Sequence, residues 1–267
     1  MKVVLFCGGK GSRIRGHSYN TPKPLVPVNG LPIILRLMAQ YSAAGHKDFL
    51  LAAGYKMSEF DAYFELIRSN KFINLFDDIL KEQYKSPSIN TWNISIIDTG
   101  EESCIGERLF YLKDYLLNEK KFFLNYSDII SDIKIDMASE YLDQSNAVLS
   151  VAATSPKSTF HWLNFEKEDN TNKGYVSNIS YSSDINIKIN AGYMCSTNDI
   201  FNFIKQGEEL VEEPFKRLSE EKKLLAYDVN CYWQPVDTLA DLKKAEKDLE
   251  NQGFDTSLGR LVKMIYA

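Results

Sequence analysis

The chain has 267 residues, 44% hydrophobic and 25% charged, the proportions of an ordinary globular protein rather than a disordered or fibrous one. With 31 Lys and Arg against 36 Asp and Glu, its formal net charge of −5 gives no bulk attraction to nucleic acid or to an acidic membrane surface. An anionic ligand must therefore be held by a local group of cations.

The opening run Val3-Val4-Leu5-Phe6-Cys7 is too short for a signal-peptide core, and no stretch reaches the ~18 apolar residues of a spanning helix, so a cytoplasmic location is expected. Residues 3–7 read as a first strand. From Pro32, apolar residues at Ile33, Ile34, Leu37, Met38 and Tyr41 repeat with a helical period that stops at Gly45. Residues 49–53 give a second strand, and Ser58-Glu59-Phe60-Asp61 has the pattern of a capping box opening another helix. The Asn/Lys-rich stretch 69–91, with its apolar patch at 72–76, is long for a connection and is expected to be a lid or an oligomer contact.

Further strands are predicted at 92–97, 122–125, 148–153, 192–195 and 224–229. Residues 208–223 alternate acidic and basic side chains as a solvated helix face would. Thr238 and Asp241 form a capping box ahead of the stripe Leu239, Leu242, Ala245 and Leu249. Strand–helix alternation predicts an α/β fold, a mostly parallel sheet flanked by helices, with ligands beyond the carboxyl ends of the strands. We read residues 1–267 as one domain, carrying an insertion at about 69–91 and a C-terminal helical cap at about 238–267. Cys7, Cys104, Cys195 and Cys231 lack C-x-x-C spacing, and only His17, His46 and His161 could join them, which argues against a zinc site or disulfide framework.

Cys7-Gly8-Gly9-Lys10-Gly11-Ser12-Arg13 follows the first strand, where glycines let backbone N–H groups approach a phosphate. A dinucleotide fingerprint is a poor fit, because Ile14 stands where its last glycine belongs. A Walker loop fails because Gly11 separates Lys10 from Ser12. Arg13 follows the turn, and further on Pro22-Lys23-Pro24 presents an ammonium from a stiffened loop. Arg13 offers a planar fork for phosphate oxygens and Lys23 a point charge. These are the local cations that the acidic balance requires.

Gly8-Gly9-x-Gly11-Ser12-Arg13 with Pro22-Lys23-Pro24 closely resembles the signature of sugar-phosphate nucleotidyltransferases. The chain looks most like the glucose-1-phosphate cytidylyltransferase branch, through Asp98-Thr99-Gly100, Gly106-Glu107-Arg108-Leu109, Asn190-Ala191-Gly192-Tyr193, Glu212-Glu213-Pro214-Phe215 and Gln234-Pro235-Val236-Asp237-Thr238. That resemblance implies a Rossmann-like nucleotide-diphospho-sugar transferase fold and catalytic roles for Arg13 and Lys23. It implies nucleotide binding by Gly8, Gly9, Gly11, Ser12, Thr99, Gly100 and Arg108, and assembly into a homo-oligomer.

Asp128 and Asp237, read alone, equally suit a turn or a helix N-cap. The resemblance implies that they hold Mg²⁺, a hard cation that takes one or two carboxylates plus substrate phosphate oxygens. The implied substrates are CTP and a sugar 1-phosphate, joined to a CDP-sugar with loss of pyrophosphate and used in polysaccharide biosynthesis. A phosphate monoester, with a second pKa near 6, is ionised at pH 7, so no general base is required.

Two departures from the family pattern stand out. Ser127-Asp128-Ile129 replaces Gly-Asp-Gly, and 178–184 lacks the Glu-Lys-Pro triplet whose lysine grips the sugar phosphate. The acceptor is assigned to Asn190, Ala191, Gly192 and Glu213, with His161 as a further candidate. A different phosphorylated acceptor, or a non-catalytic paralogue that binds a nucleotide sugar, stays open as an alternative.

Overall fold

The computed structural model describes residues 1–9, 21–69, 73–156, 162–169, 173–180 and 187–253. In chain order the strands and helices of its first half are β1 (Lys2–Phe6), β2 (Pro27–Val28), β3 (Leu31–Pro32), α1 (Ile33–Ala43), β4 (Asp48–Ala53), α2 (Met57–Arg68), α3 (Ile73–Tyr84) and β5 (Asn93–Asp98). There follow α4 (Ile105–Tyr111), α5 (Lys113–Leu116), β6 (Lys121–Asn125), β7 (Ile129–Ser131), α6 (Met137–Asp143), β8 (Leu149–Thr154), β9 (Trp162–Lys167) and β10 (Gly174–Ser180). The chain closes with β11 (Ile189–Thr197), α7 (Glu213–Glu220), β12 (Leu224–Asp228), β13 (Trp233–Pro235) and α8 (Leu239–Asn251).

Seven strands form the central sheet in the order β12-β8-β11-β6-β1-β4-β5. Each of the seven strand-like runs in the sequence supplies one of them. The β1–β4, β1–β6, β4–β5 and β8–β12 pairs are parallel; only β11 runs against its neighbours β6 and β8. The two-residue alternation of a strand sends Val3 and Leu5 into one core with Phe49, Leu51 and Phe123, beneath α1, α2 and α3. It sends Val4 and Phe6 into the other with Leu50, Ala52, Phe122 and Leu124, beneath α4 and α5. Near-continuous apolar strands follow from a sheet covered on both faces.

Helix α3 occupies most of the stretch 69–91, and its Ile73, Phe76, Ile79 and Leu80 are buried where it packs on α1 and α2. Two local expectations are corrected. The capping box at Ser58 does not form. Helix α2 starts two residues earlier, after Lys56 in a left-handed conformation, and Lys56 Nζ instead meets Glu59 Oε1 at 2.6 Å. Residues 208–212 are not helical, because α7 begins only at Glu213. The capping box at Thr238 and Asp241 does form, and Leu242, Ala245 and Leu249 of α8 pack on Val26, Val28, Ile33 and Ile130.

Parallel pairing puts the carboxyl ends of β1, β4, β5 and β6 on one edge. Antiparallel β11 returns to that edge with its N-terminal half: Tyr193 pairs with Asn125, and a register shift falls between Asn190 and Met194, at Gly192 with φ +78°. Bulges of this kind bend a strand and redirect its side chains beside a site. Among the described residues, no helix is long and apolar enough to cross a membrane.

Candidate active site

A cavity of about 630 Å³ opens on this edge, lined by Phe6, Cys7, Gly9, Lys23, Pro24, Ile105, Tyr126, Asp128, Asn190, Glu209, Val211 and Asp237. At one wall, the Lys23 ammonium lies 2.7 Å from Asp128 Oδ2 and 2.6 Å from Asp237 Oδ1. Local pairings bring these three together. Lys23 opens a single 3-10 turn, Lys23–Leu25, which Pro22 introduces and in which Pro24 supplies a fixed φ. Asp128 follows β6 through Ser127, whose φ of +64° is stabilised by its N–H donating to Asn125 Oδ1 at 2.9 Å.

Asp237 arrives by strand pairing. Pro235 of β13 lies opposite Ile129 of β7, and the Val236 N–H donates to the Asp128 carbonyl at 2.9 Å, so the ladder carries the chain directly past Asp128. The Asp237 N–H then donates to Asp241 Oδ2 at 3.2 Å, which ties Asp237 to the cap of α8. Burial pushes the Asp128 carboxyl up, against the Lys23 charge that holds it down; the neighbouring Asp237 charge adds to the upward push.

The two carboxylates are within reach of one ammonium, yet 28% and 39% of their side-chain surfaces stay accessible, against 13% for Lys23. Among the described residues no group of three or more His, Cys, Asp and Glu could hold a metal ion. A divalent ion here would rest on two carboxylates and on ligand oxygens, the usual coordination of Mg²⁺ and not of a structural zinc. The residues fit such an ion.

Behind the glycine turn lies Arg108, 2% exposed. Its Nη1 donates to Gly100 O (2.7 Å), Thr99 Oγ1 (2.8 Å) and Ala53 O (3.1 Å), and its Nη2 to Gly8 O (3.2 Å) and Glu101 O (3.3 Å). One guanidinium thus joins the ends of β1, β4 and β5. A Cβ at Gly8 would lie 1.9 Å from Nη1, and one at Gly54 would lie 2.3 Å from Gly100 O. Both positions are glycine for packing reasons: the arginine and the next loop occupy the space of a side chain. Burial pulls the Arg108 pKa down.

The far wall of the cavity is polar and acidic. Asn190 Nδ2 donates to the Tyr126 hydroxyl at 2.9 Å, and Asn190 Oδ1 accepts from the Gly192 N–H at 2.8 Å. Glu209 Oε1 accepts from the Leu210 N–H at 2.9 Å, and Oε2 from the Ile105 N–H at 3.2 Å at the start of α4. Beneath them, Ile129 Cδ1 lies 2.4 Å from where a Gly192 Cβ would be.

No protein-family model matches the chain. A Salmonella typhi protein named glucose-1-phosphate cytidylyltransferase is 28% identical over 246 residues, 90% of this chain and 93% of that protein. The chain is a relative of the sugar-phosphate nucleotidyltransferases. A Campylobacter jejuni protein named D-glycero-alpha-D-manno-heptose 1-phosphate guanylyltransferase is 26% identical over 228 residues, 82% of this chain and 88% of that one. The fold matches as well. The solved UTP-bound UGPase of Acinetobacter baumannii superposes with a TM-score of 0.67 and 15% identity, covering 99% of this chain and 98% of that chain. With relatives of one reaction type over nearly its whole length, this chain is an enzyme of the nucleotidyltransferase type.

Of the residues expected from the sequence, Gly9, Lys23, Asp128, Asn190 and Asp237 line the cavity. Gly8, Thr99 and Arg108 are buried behind it and the exposed Gly100 accepts from Arg108 at their edge; Thr99 Oγ1 also donates to Ala53 O at 2.6 Å. Ala191 is buried, its carbonyl accepting from Trp233 Nε1 at 2.9 Å. Glu213 is exposed at the start of α7 and is not among the lining residues; Glu209 is the carboxylate of that segment that reaches the cavity. Gly11, Ser12, Arg13 and His161 lie outside the described residues. Sequence reasoning missed Tyr126 and Glu209. Gly207, with φ +82°, is the signal that the acidic run turns before Glu209 and is not one continuous helix.

Proposed function

We propose that the protein transfers a cytidylyl group from CTP to a sugar 1-phosphate, with Mg²⁺, giving a CDP-sugar and pyrophosphate in the cytoplasm. The observation that carries this reading is the Lys23–Asp128–Asp237 cluster lining a cavity beyond the strand ends. An oxygen of the acceptor phosphate attacks the α-phosphorus of CTP as the bond from that phosphorus to the oxygen of the β-phosphate breaks, and pyrophosphate carries the electron pair away. Because the attacking oxygen is already ionised, the residues need to supply alignment and charge, not a base.

Lys23 and Arg13 offset the charge of the two crowding phosphate chains, and such donors act where charge develops. Asp128 and Asp237 would hold Mg²⁺, which supplies further charge neutralisation on the phosphate oxygens when bound. Gly8, Gly9, Gly11 and Ser12 are assigned to the nucleotide through their N–H groups; Thr99, Gly100 and Arg108 keep Gly8 against the ends of β4 and β5. Asn190, Ala191 and Gly192 are assigned to the acceptor side, with Asn190 in direct reach of the cavity.

Pyrophosphate release, measured for each nucleoside triphosphate against a panel of sugar 1-phosphates and other phosphorylated acceptors, tests the proposal. We expect turnover with CTP and a sugar 1-phosphate, lost on chelation of Mg²⁺ and cut about 10²-fold or more in Arg13→Ala and Lys23→Ala. Turnover confined to GTP would reassign the base. Turnover confined to non-sugar acceptors would support a second reading, which Ile129 favours by filling the floor beside Gly192. No release from any pair refutes transfer and leaves a nucleotide-sugar-binding regulator.

A further inference from the structure

The cavity is lined by two chemically different groups. Lys23 supplies the cation for phosphate. The Glu209 carboxylate lines the same cavity with Tyr126 and Asn190, and among the described residues it has no cationic partner. Its position is fixed from both sides. The Glu208 carbonyl accepts from Cys104 Sγ at 2.9 Å and would lie 2.3 Å from a Cβ at Gly106, so this turn is pressed onto the start of α4. Arg217 holds Glu208 from beneath, with Nη1 donating to Oε1 at 3.0 Å. Each Glu209 oxygen accepts one backbone N–H and keeps a lone pair for a ligand.

Tyr126 complements it. Its hydroxyl oxygen already accepts from Asn190, so its own proton is available to donate.

A fixed carboxylate in a cavity that takes polyanions repels their phosphates. It therefore faces the part of the acceptor that carries no phosphate. Resting on the transfer reading above, we propose that Glu209, with Tyr126, determines acceptor specificity by accepting hydrogen bonds from donor groups on the acceptor's distal end. The substrate class is a phosphorylated small molecule with hydroxyls there, as on a sugar ring. An acceptor with an ammonium group shares this chemistry and is separated from it below.

The test uses the full-length enzyme with saturating CTP, glucose 1-phosphate, each of its monodeoxy analogues, and glucosamine 1-phosphate. Glu209→Gln removes the charge and keeps the shape. We expect its KM for glucose 1-phosphate to rise about 10- to 100-fold, the range of a lost charge-assisted hydrogen bond, with the KM for CTP unchanged. One monodeoxy analogue should then be discriminated against by the wild type and not by Glu209→Gln. Tyr126→Phe should give a smaller rise of the same kind. A larger loss for glucosamine 1-phosphate than for glucose 1-phosphate assigns an ammonium as the preferred donor.

An unchanged acceptor KM, or equal rises in both KM values, overturns the assignment. Calorimetric binding of the same acceptors keeps the two proposals apart. A wild type that binds them without releasing pyrophosphate refutes transfer, and Glu209 then stands or falls by the binding ratio. If the wild type binds none of them, both readings are refuted.

Discussion

Replacing Arg108 by lysine separates a phosphate-contact role for the glycine turn from the architectural role that its packing indicates. Lysine keeps the charge but gathers its donors at one atom. From the site of Nη1 it can still reach Gly100 O, Thr99 Oγ1 and Ala53 O, while Gly8 O and Glu101 O, 3.2 and 3.3 Å from Nη2, lose their donor. Glu101 is exposed, and water replaces that bond. Gly8 is buried, so its carbonyl is left unsatisfied at a cost of about 1–3 kcal/mol. For a chain of this size that lowers Tm by roughly 2–12 °C. Because the stranded carbonyl is the one that ties the turn to the sheet, CTP affinity should fall about 10-fold or more, read by calorimetry. Gly8→Ala supplies the cross-check: its Cβ would lie 1.9 Å from Nη1, so it should cost several kcal/mol in the wild type and much less beside Arg108→Ala. Unchanged Tm and CTP affinity in Arg108→Lys, or additive losses in the double variant, would refute the clamp.

Other outcomes follow from particular contacts. Asp241→Asn weakens the carboxylate that accepts from the N–H groups of Asp237 and Thr238, and should cost about 1 kcal/mol of stability in thermal unfolding while raising the Mg²⁺ concentration needed for half-maximal activity. Gly192→Ala combines a φ of +78° with a Cβ only 2.4 Å from Ile129 Cδ1; it should cost about 1–3 kcal/mol or more in denaturant unfolding, and Ile129→Val should recover part of it. Burial raises the thiols of Cys7 and Cys195 to about 12, so at pH 8 a thiol reagent should leave both unlabelled until the protein unfolds. The sign for stability is the same for both: their contribution is intact below the unfolded thiol pKa of about 8.5 and is lost as pH rises toward 12, so each should add to alkaline lability over that window.

The seven strands of the central sheet were legible because each is a short apolar run closed by turn residues, and the five inner ones are buried on both faces while the edge strands β5 and β12 are only partly covered. Burial on both faces makes such a run visible without knowing its partner. Helix α1 was legible through its periodicity, and the cap of α8 through two residues three apart. Strands β7 and β13 were not, since Ile129–Ser131 and Trp233–Pro235 are three residues each and have no pattern longer than their pairing. The acidic run before α7 misled for a related reason: alternating charge suits any solvated surface, and only the turn at Gly207 separates Glu209 from the helix.

By itself, the sequence determined a doubly covered sheet, a glycine turn after its first strand, and Lys23 stiffened by prolines; Asp128 and Asp237 were named only by what the family resemblance implies. Tertiary structure alone decided that β13 runs beside β7 and so brings Asp237 to Asp128 and Lys23. It alone decided that Arg108 fills the space above Gly8, and that Glu209 is the acid facing the cavity. These are contacts between segments roughly 100 or more residues apart, set by ladder register and by how helices seat on the sheet. Local propensity carries no record of a distant partner, whereas burial and turn chemistry are written into each segment.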